Sequence, residues 1–162
     1  MPTTRPLIPL LILPILVSSL KFLAYNPRIA NSKISDILVD AGQEVVMISP
    51  ITDTQIDSAG CKKCRVIEIP QCEFAARTQK WVLSSAGIVS GVWRSESVFK
   101  TVKSFEIYYE NNAHQCNATL HTPGLLDSLR AEKFDVAYAE YFDYCGWGGH
   151  FFTSINSRIF PT

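Results

Sequence analysis

The segment Phe134–Gly149, FDVAYAEYFDYCGWGG, constrains the fold more than any other part of the sequence. It begins with a mostly apolar run that ends on an acid, Glu140, and continues through an aromatic loop to three glycines. This pattern is typical of a buried strand that delivers a carboxylate to its carboxyl end. Upstream, TPG and LLDSLRAEK predict a helix with Thr122 as its N-cap and Pro123 at its first position. Such a unit belongs to an open α/β sheet, in which ligands bind beyond the carboxyl ends of the strands.

Three further strands are predicted upstream, and each is followed by a proline. They are Lys21–Asn26, Glu44–Ser49 and Arg65–Ile69. A strand, a crossover helix and a second strand form a βαβ unit, which is right-handed in nearly all cases. Together with the strand at Phe134 they predict a parallel four-stranded sheet in the order 3-2-1-4. The loops after the first and last strands, residues 26–32 and 140–149, would then face each other and enclose a binding site.

The spacing of apolar residues predicts three helices between these strands. The first begins after Ser32 as N-cap, and residues 74–92 form a second that is interrupted by two glycines. One face of the first helix carries Ile34, Ile37, Leu38 and Ala41. Ser95 caps the longest helix. The residues predicted on its apolar face are Val98, Val102, Phe105, Tyr109, Cys116 and Leu120.

The amino terminus has the form of an export signal. Arg5 precedes the apolar run Leu7–Val17, and small residues follow at the positions that a signal peptidase recognises. Residues 1–19 are therefore expected to be removed, because the run is short and contains two prolines, which disfavours a membrane anchor. The mature chain is expected in the secretory pathway, either in the endoplasmic reticulum lumen or secreted. In that compartment the sequon Asn117-Ala118-Thr119 makes Asn117 the predicted glycan acceptor.

Five cysteines are present, and an oxidising compartment would allow them to form disulfides. The odd number leaves at least one thiol unpaired in the monomer. In Cys61-Lys62-Lys63-Cys64 the pair precedes a predicted strand, whereas a thioredoxin-type dithiol follows one. A zinc site would need two more ligands, and only Cys72 is near. A disulfide or free thiols in a surface loop are the simpler interpretations, and no metal site is predicted.

Four ordered blocks of the sequence carry a resemblance to a known family. They are YNPRIANS, KISDILVDAGQEVVMISPI, RVIEIP and PGLLDSLRAEKFDVAYAEYFDYCG. From about Leu20 to Gly148 the chain resembles the amino-terminal half of a UDP-glucuronosyltransferase of the kind abundant in nematodes. The resemblance implies a two-domain GT-B glycosyltransferase whose amino-terminal Rossmann-like α/β domain binds a small lipophilic acceptor. The carboxy-terminal domain of such an enzyme binds the co-substrate, UDP-glucuronic acid or UDP-glucose, and a membrane anchor follows it.

The resemblance also implies roles for individual residues. In the family a histidine in the first loop is the general base for the acceptor hydroxyl, and a carboxylate after the later strand orients it. Glu140 matches the position of that carboxylate. Relatives carry a serine-histidine segment between the positions of Ser32 and Lys33, which are adjacent here, so the histidine has no counterpart. His150 is interpreted as an exposed loop residue rather than a substitute base. The residues expected to contact the acceptor are Asn31, Ser32 and Tyr141.

The expected organisation is a signal peptide over residues 1–19, an incomplete acceptor-binding domain over 20–148 and a divergent tail over 149–162. Because no histidine, donor domain or membrane anchor is matched, a truncated or spliced chain that binds no cofactor and is inactive alone is expected. A non-catalytic lumenal partner of full-length relatives and a non-functional fragment are alternatives, and a thiol oxidoreductase is a fourth. The formal net charge of zero and the lack of a basic stripe argue against a nucleic-acid partner.

Overall fold

The structure is a computed structural model that describes residues 19–26, 33–82, 98–139, 145 and 150–155. Within these ranges it contains four strands and five helices. The elements in chain order are β1 (Lys21–Tyr25), α1 (Ile34–Asp40), β2 (Glu44–Pro50), β3 (Arg65–Ile69), α2 (Glu73–Val82), α3 (Val98–Leu120), α4 (Leu125–Glu132), β4 (Val136–Ala139) and α5 (His150–Ile155). The predicted strands therefore agree with the structure to within two residues at each end.

The four strands form one parallel sheet in the order β3-β2-β1-β4. This confirms the order 3-2-1-4 that was predicted from the sequence. Tyr25, the last residue of β1, lies opposite Ile48 of β2 and opposite Ala139 of β4. The first and last strands are therefore neighbours, which creates the topological switch point where open α/β sheets bind ligands.

Side chains of the strands alternate between two apolar clusters, one on each face of the sheet. The larger cluster is completed by α4, α5 and Cys145, and its strand members are Leu23, Tyr25, Val46, Ile48, Ile69 and Ala137. The smaller cluster contains Ala24 and Met47, and Tyr138 packs against it. Ser35 of α1 shares a hydrogen bond of 2.7 Å with the Tyr138 hydroxyl, which places α1 on this second face. Helices thus cover both faces, and the predicted Rossmann-like α/β fold is confirmed.

The described part of the expected tail is helical and contributes to the core. Phe151 and Phe152 of α5 are buried in the larger cluster together with Ile155. The ring of Phe151 lies 4.9 Å from that of Tyr25 between centroids, at the carboxyl end of β1. Residues 150–155 are therefore structural members of the domain, and residues 156–162 lie outside the described ranges.

The predicted start of α4 is wrong by two residues. Gly124 is its N-cap, with a φ of 71°, which is a left-handed conformation that glycine adopts without strain. Thr122 does not cap the helix, because its hydroxyl donates to the Ala118 carbonyl, one turn back in α3, at 3.0 Å. Thr122 therefore closes the end of one helix instead of beginning the next.

The predicted apolar face of α1 is not the face that packs on the sheet. Ile34 and Ile37 are 56% and 64% exposed, whereas the fully buried residue of α1 is Ser35. The helix docks through the Ser35 hydroxyl on Tyr138, which turns both isoleucines outward. The first predicted cap, Ser32, lies outside the described residues, and Lys33 is the N-cap without a side-chain hydrogen bond.

The predicted apolar face of α3 is also wrong in its first half. Val98 and Val102 are 76% and 61% exposed, and the buried side chains that the structure describes in this helix are polar. Among them, Gln115 donates from Nε2 to the Pro70 carbonyl at 2.9 Å and accepts from the Cys72 backbone N–H at 2.8 Å. The helix is thus docked by hydrogen bonds to the turn after β3. The proposed cap Ser95 lies outside the described residues.

Ion pairs join the strands at their amino ends, which together form the amino edge of the sheet. Lys21 contacts Glu44 and Glu132 at 2.7 and 2.9 Å, and Arg65 contacts the same Glu132. The hydrogen bond that Lys21 donates to Glu132, followed by the one that it donates to Glu44, raises the pKa of Lys21. Burial raises the pKa of Glu132, but hydrogen bonds from Arg65 and Lys21 together outweigh it, so that this pKa lies below its ordinary value.

Candidate functional site

The structure describes the frame of the predicted site rather than its named residues. Asn31, Ser32, Glu140 and Tyr141 all lie outside the described residues. The strands that carry the two loops are described, and Tyr25 of β1 lies opposite Ala139 of β4. In the sequence Glu140 follows Ala139 directly. The adjacency of β1 and β4 on which the site prediction depends is therefore present.

The carboxyl edge holds buried polar side chains. Asn26 follows β1, is 3% exposed, and donates its backbone N–H to the Ile48 carbonyl at 2.9 Å. Ser49 at the end of β2 and Thr52 just beyond it are 0% and 7% exposed. Neither of these two hydroxyls has a hydrogen-bond partner within the part of the chain that the structure describes. Buried hydroxyls are normally paired, so this edge is unlike an ordinary core.

Tyr138 connects the edge of β4 to the start of α1. Its hydroxyl lies 2.7 Å from the Ser35 hydroxyl, and either group can be the donor. Burial raises the pKa of Tyr138, and the smaller opposing effect of the Ser35 hydrogen bond does not cancel it. The phenol is therefore neutral at physiological pH. This bond fixes α1 relative to β4, the two elements that border the predicted loops.

A cavity of about 630 Å³ lies along one flank of α3. Its described lining residues are Tyr109, Asn112, Ala113, Cys116, Asn117, Leu120 and Cys145. Gln115, in the same turn, contacts Pro70 directly after β3, and Cys145 comes six residues after the end of β4. These positions put the cavity on the carboxyl side of the sheet. Its volume lies within the range of about 300–1,000 Å³ that is usual for small-molecule sites.

Two disulfides and one free thiol account for the five cysteines. Cys116 of α3 is joined to Cys145, with Cα atoms 5.4 Å apart, across 29 residues of sequence. Cys61 is joined to Cys64 within the polar loop before β3. Cys72, at the start of α2, is a free cysteine. No group of histidine, cysteine, aspartate or glutamate side chains in the described ranges could hold a metal ion.

Two of the three histidines have described side chains, His114 and His121, and neither contacts the strand ends that frame the predicted site. His114 stacks on Phe74, with ring centroids 4.2 Å apart, and so joins α3 to α2. His121 places Nδ1 2.8 Å from the Asn117 carbonyl and is exposed. The side chain of His150 lies outside what the structure describes.

Sequence reasoning missed the cavity although it selected part of its wall. Tyr109, Cys116 and Leu120 belong to the predicted apolar face. All three line the cavity, and Cys116 and Leu120 also pack against the larger apolar cluster. One signal in the sequence could have indicated it. The lining residues recur every four positions and form two parallel rows along one side of α3. The rows are Tyr109-Ala113-Asn117 and Asn112-Cys116-Leu120. Each row carries one amide, at one end, beside apolar or aromatic groups, which is unusual for a surface that faces only the core.

Comparison with known families identifies the domain. A family model described as "UDP-glucoronosyl and UDP-glucosyl transferase" matches residues 15–156. The chain belongs to this family. The match includes β1 to β4 and the whole of α5, so it extends past Gly148 into the expected tail.

Individual relatives support the same assignment. "Putative UDP-glucuronosyltransferase ugt-48" of Caenorhabditis elegans is 25% identical over 154 residues, which is 88% of this chain and 28% of the relative. "Putative UDP-glucuronosyltransferase ugt-47" of the same organism is 25% identical over 138 residues, or 79% of this chain and 25% of the relative. The chain spans about a quarter of the length of these relatives. No solved structure matches.

These results confirm the resemblance to UDP-glucuronosyltransferases over most of the chain. Among the helices that the structure describes, none has both the length and the apolar character required to cross a membrane.

Proposed function

We propose that this chain is an acceptor-binding domain of the UDP-glycosyltransferase type, which binds small lipophilic acceptors but does not transfer a sugar to them by itself. The full reaction of this type moves a sugar from a UDP-sugar, UDP-glucuronic acid or UDP-glucose, to an acceptor hydroxyl. The observation that carries the proposal is the cavity of about 630 Å³ beside α3, on the carboxyl side of a sheet whose β1 and β4 are neighbours.

The cavity lining favours a ligand that is mostly apolar and carries a few hydrogen-bonding groups. Leu120, Ala113 and the disulfide sulfurs offer apolar surface, while the Asn112 amide and the Tyr109 phenol place polar groups at the wall. Pockets of this kind derive affinity from apolar burial and orientation from a small number of polar contacts. A phenol or a similar hydroxylated ring fits both requirements.

The absence of transfer follows from the segment between β1 and α1. The sequence from Asn26 to Lys33 contains no histidine, and all three histidines of the chain come much later, at positions 114, 121 and 150. A positioned general base contributes about 10²- to 10⁴-fold to such reactions. Without an imidazole to orient, Glu140 retains the position of the family carboxylate but not its task. We also propose that Asn31, Ser32 and Tyr141 contact the acceptor, because the family resemblance implies this role for their positions.

We also propose that the chain enters the secretory pathway through residues 1–19 and carries a glycan on Asn117. Asn117 is exposed, whereas Thr119 of the same sequon is fully buried and donates to the Gln115 carbonyl. A transferase that reads both residues needs them accessible together, so the glycan must be added before α3 folds.

The experiment is equilibrium binding of a fluorescent phenol, 4-methylumbelliferone, to the purified chain, together with a transfer assay using labelled UDP-glucuronic acid and UDP-glucose. We expect saturable binding and no transfer above a blank without protein. Ala113→Trp, which fills the cavity, should weaken binding at least ten-fold.

Ala131→Trp is the matched control, because Ala131 is also an exposed helical alanine but lies on α4, away from the cavity lining. Equal binding by both variants would show that the phenol does not occupy this cavity. Transfer that disappears in Glu140→Ala would contradict the claim that this chain is inactive.

A further inference from the structure

The Cys116–Cys145 disulfide forms part of the cavity wall. Both cysteines line the cavity, and both contribute to the larger apolar cluster. Cys145 is 4% exposed, whereas Cys116 is only partly buried. The bond therefore presents its Cys116 side to the open cavity while its Cys145 side is anchored in the core.

The disulfide holds the flank of α3 that borders the cavity. The opposite flank is fixed separately, because Gln115 bonds to Pro70 and Cys72 after β3. On the cavity side, Cys116 is bonded covalently to the segment that follows β4. Reduction of the disulfide would detach the cavity side of α3 from Cys145, whereas the hydrogen bonds of Gln115 would still hold α3 beside β3.

We infer that acceptor binding by this chain is redox-dependent and requires the Cys116–Cys145 disulfide. The inference rests on the proposed function, since it concerns the same cavity. A small dithiol is the reductant: one thiolate attacks Cys116 Sγ, and Cys145 leaves as a thiolate that takes a proton. The second thiol of the reductant then attacks the mixed disulfide, releasing Cys116 as a thiol and the reductant as a cyclic disulfide. Two electrons and two protons pass to the protein.

The second disulfide provides an internal control. Cys61 and Cys64 pack against the smaller cluster on the opposite face of the sheet and do not line the cavity. Their loop has other attachments, because Asp36 of α1 accepts backbone N–H groups from Lys62 and Lys63 at 2.8 and 2.9 Å. Reduction of this pair leaves those hydrogen bonds in place, so it should not change the cavity.

The test measures 4-methylumbelliferone binding to the full chain before and after reduction with dithiothreitol. Every protein carries Cys72→Ser, which prevents the free thiol from exchanging with either disulfide. We expect the affinity to fall at least ten-fold in Cys116→Ser/Cys145→Ser, and to stay within two-fold of the parent in Cys61→Ser/Cys64→Ser. Reduction of the parent should reproduce the fall, and re-oxidation should restore the affinity, with the thiol state followed by mass spectrometry.

Each other result decides against the inference or against its foundation. Unchanged affinity after verified reduction of Cys116–Cys145 would overturn it. Loss of the circular dichroism signal on reduction would also overturn it, because the bond would then support the whole fold rather than the cavity. If the oxidised parent binds no phenol at all, the proposed function is wrong, and the inference that depends on it is wrong as well.

Discussion

The two edges of the sheet are built in opposite ways. At the amino edge Lys21 contacts Glu44 and Glu132, and Glu132 bridges Lys21 and Arg65. At the carboxyl edge the hydroxyls of Ser49 and Thr52 are buried without a hydrogen-bond partner among the described residues. The same parallel strands therefore end in satisfied ion pairs on one side and in unsatisfied polar groups on the other.

This difference separates stability from function along a single sheet. In open α/β sheets the ligand lies beyond the carboxyl ends of the strands, so that edge must keep polar groups available. The cavity beside α3 lies on this side, and so does Ala139, which ends β4 and precedes Glu140 in the sequence. The amino edge has no such task and can be optimised for folding alone. Three pairs of substitutions, in order of decreasing effect, test this comparison.

The largest effect is expected at the apolar packing of the carboxyl edge. Phe151 is fully buried and its ring contacts Tyr25 at the end of β1. Phe151→Ala should lower the free energy of unfolding by about 3–5 kcal/mol, because it leaves a cavity in the larger cluster. Urea denaturation followed by circular dichroism measures this difference.

Phe99→Ala is the matched control, since Phe99 is 88% exposed. It should change the free energy of unfolding by no more than about 0.5 kcal/mol. Similar losses for the two phenylalanines would mean that α5 is not part of the core, and the carboxyl edge would then be loosely packed as well as polar.

An intermediate effect is expected at the amino edge and depends on pH. Glu132→Gln should remove about 1–2 kcal/mol of stability at pH 7, because Lys21 and Arg65 each lose a charged partner. The pKa of Glu132 is lower in the folded protein than its ordinary value of 4.5. Its contribution is therefore complete above that value and is lost as the pH falls through the lower folded pKa. Denaturation curves of both proteins between pH 7 and pH 3 should converge at the acidic end.

The control for charge alone is Glu106→Gln on α3, where Glu106 and Lys103 form an exposed pair. Exposed pairs of this kind contribute about 0–1 kcal/mol, so this substitution should have little effect at any pH. A difference between wild type and Glu132→Gln that persists unchanged at pH 3 would show that the effect does not come from the carboxylate charge.

The strands and their order were predictable because their signals are local. Each strand is a short apolar run, and the first three end within two residues of Pro27, at Pro50 and beside Pro70. Because these strands are buried on both faces of the sheet, their apolar residues form continuous runs. Such runs can be recognised without knowing which strand each one pairs with. The same reasoning located the pair of strand ends that frame the site.

The helix faces were not predictable because their partners are distant in sequence. Gln115 is buried on account of Pro70 and Cys72, and Ser35 on account of Tyr138, more than 100 residues away. Apolar periodicity therefore assigned the wrong faces to α1 and to the first half of α3. The disulfide pairing was undetermined for the same reason, since five cysteines allow many pairings and spacing alone does not choose between them.

The smallest expected effect on the free energy of unfolding concerns two buried serines, whose substitutions should differ in the direction of the change. Ser35 and Ser49 are both 0% exposed, but only Ser35 has a described hydrogen-bond partner, Tyr138. Ser35→Ala should lower the free energy of unfolding by about 1 kcal/mol, since it leaves the Tyr138 hydroxyl without its partner. Ser49→Ala should leave stability unchanged or raise it by up to about 1 kcal/mol, because it removes a hydroxyl that is buried without compensation.

The same pair of variants also separates stability from binding at the cavity. Ser49 does not line the cavity beside α3, so Ser49→Ala should leave 4-methylumbelliferone binding within two-fold of wild type while its stability is maintained or raised. Thermal denaturation and the binding titration are therefore measured on the same samples. Equal destabilisation by the two serine substitutions would show that Ser49 has a structural partner after all. The contrast between a satisfied amino edge and an unsatisfied carboxyl edge would then rest on Thr52 alone.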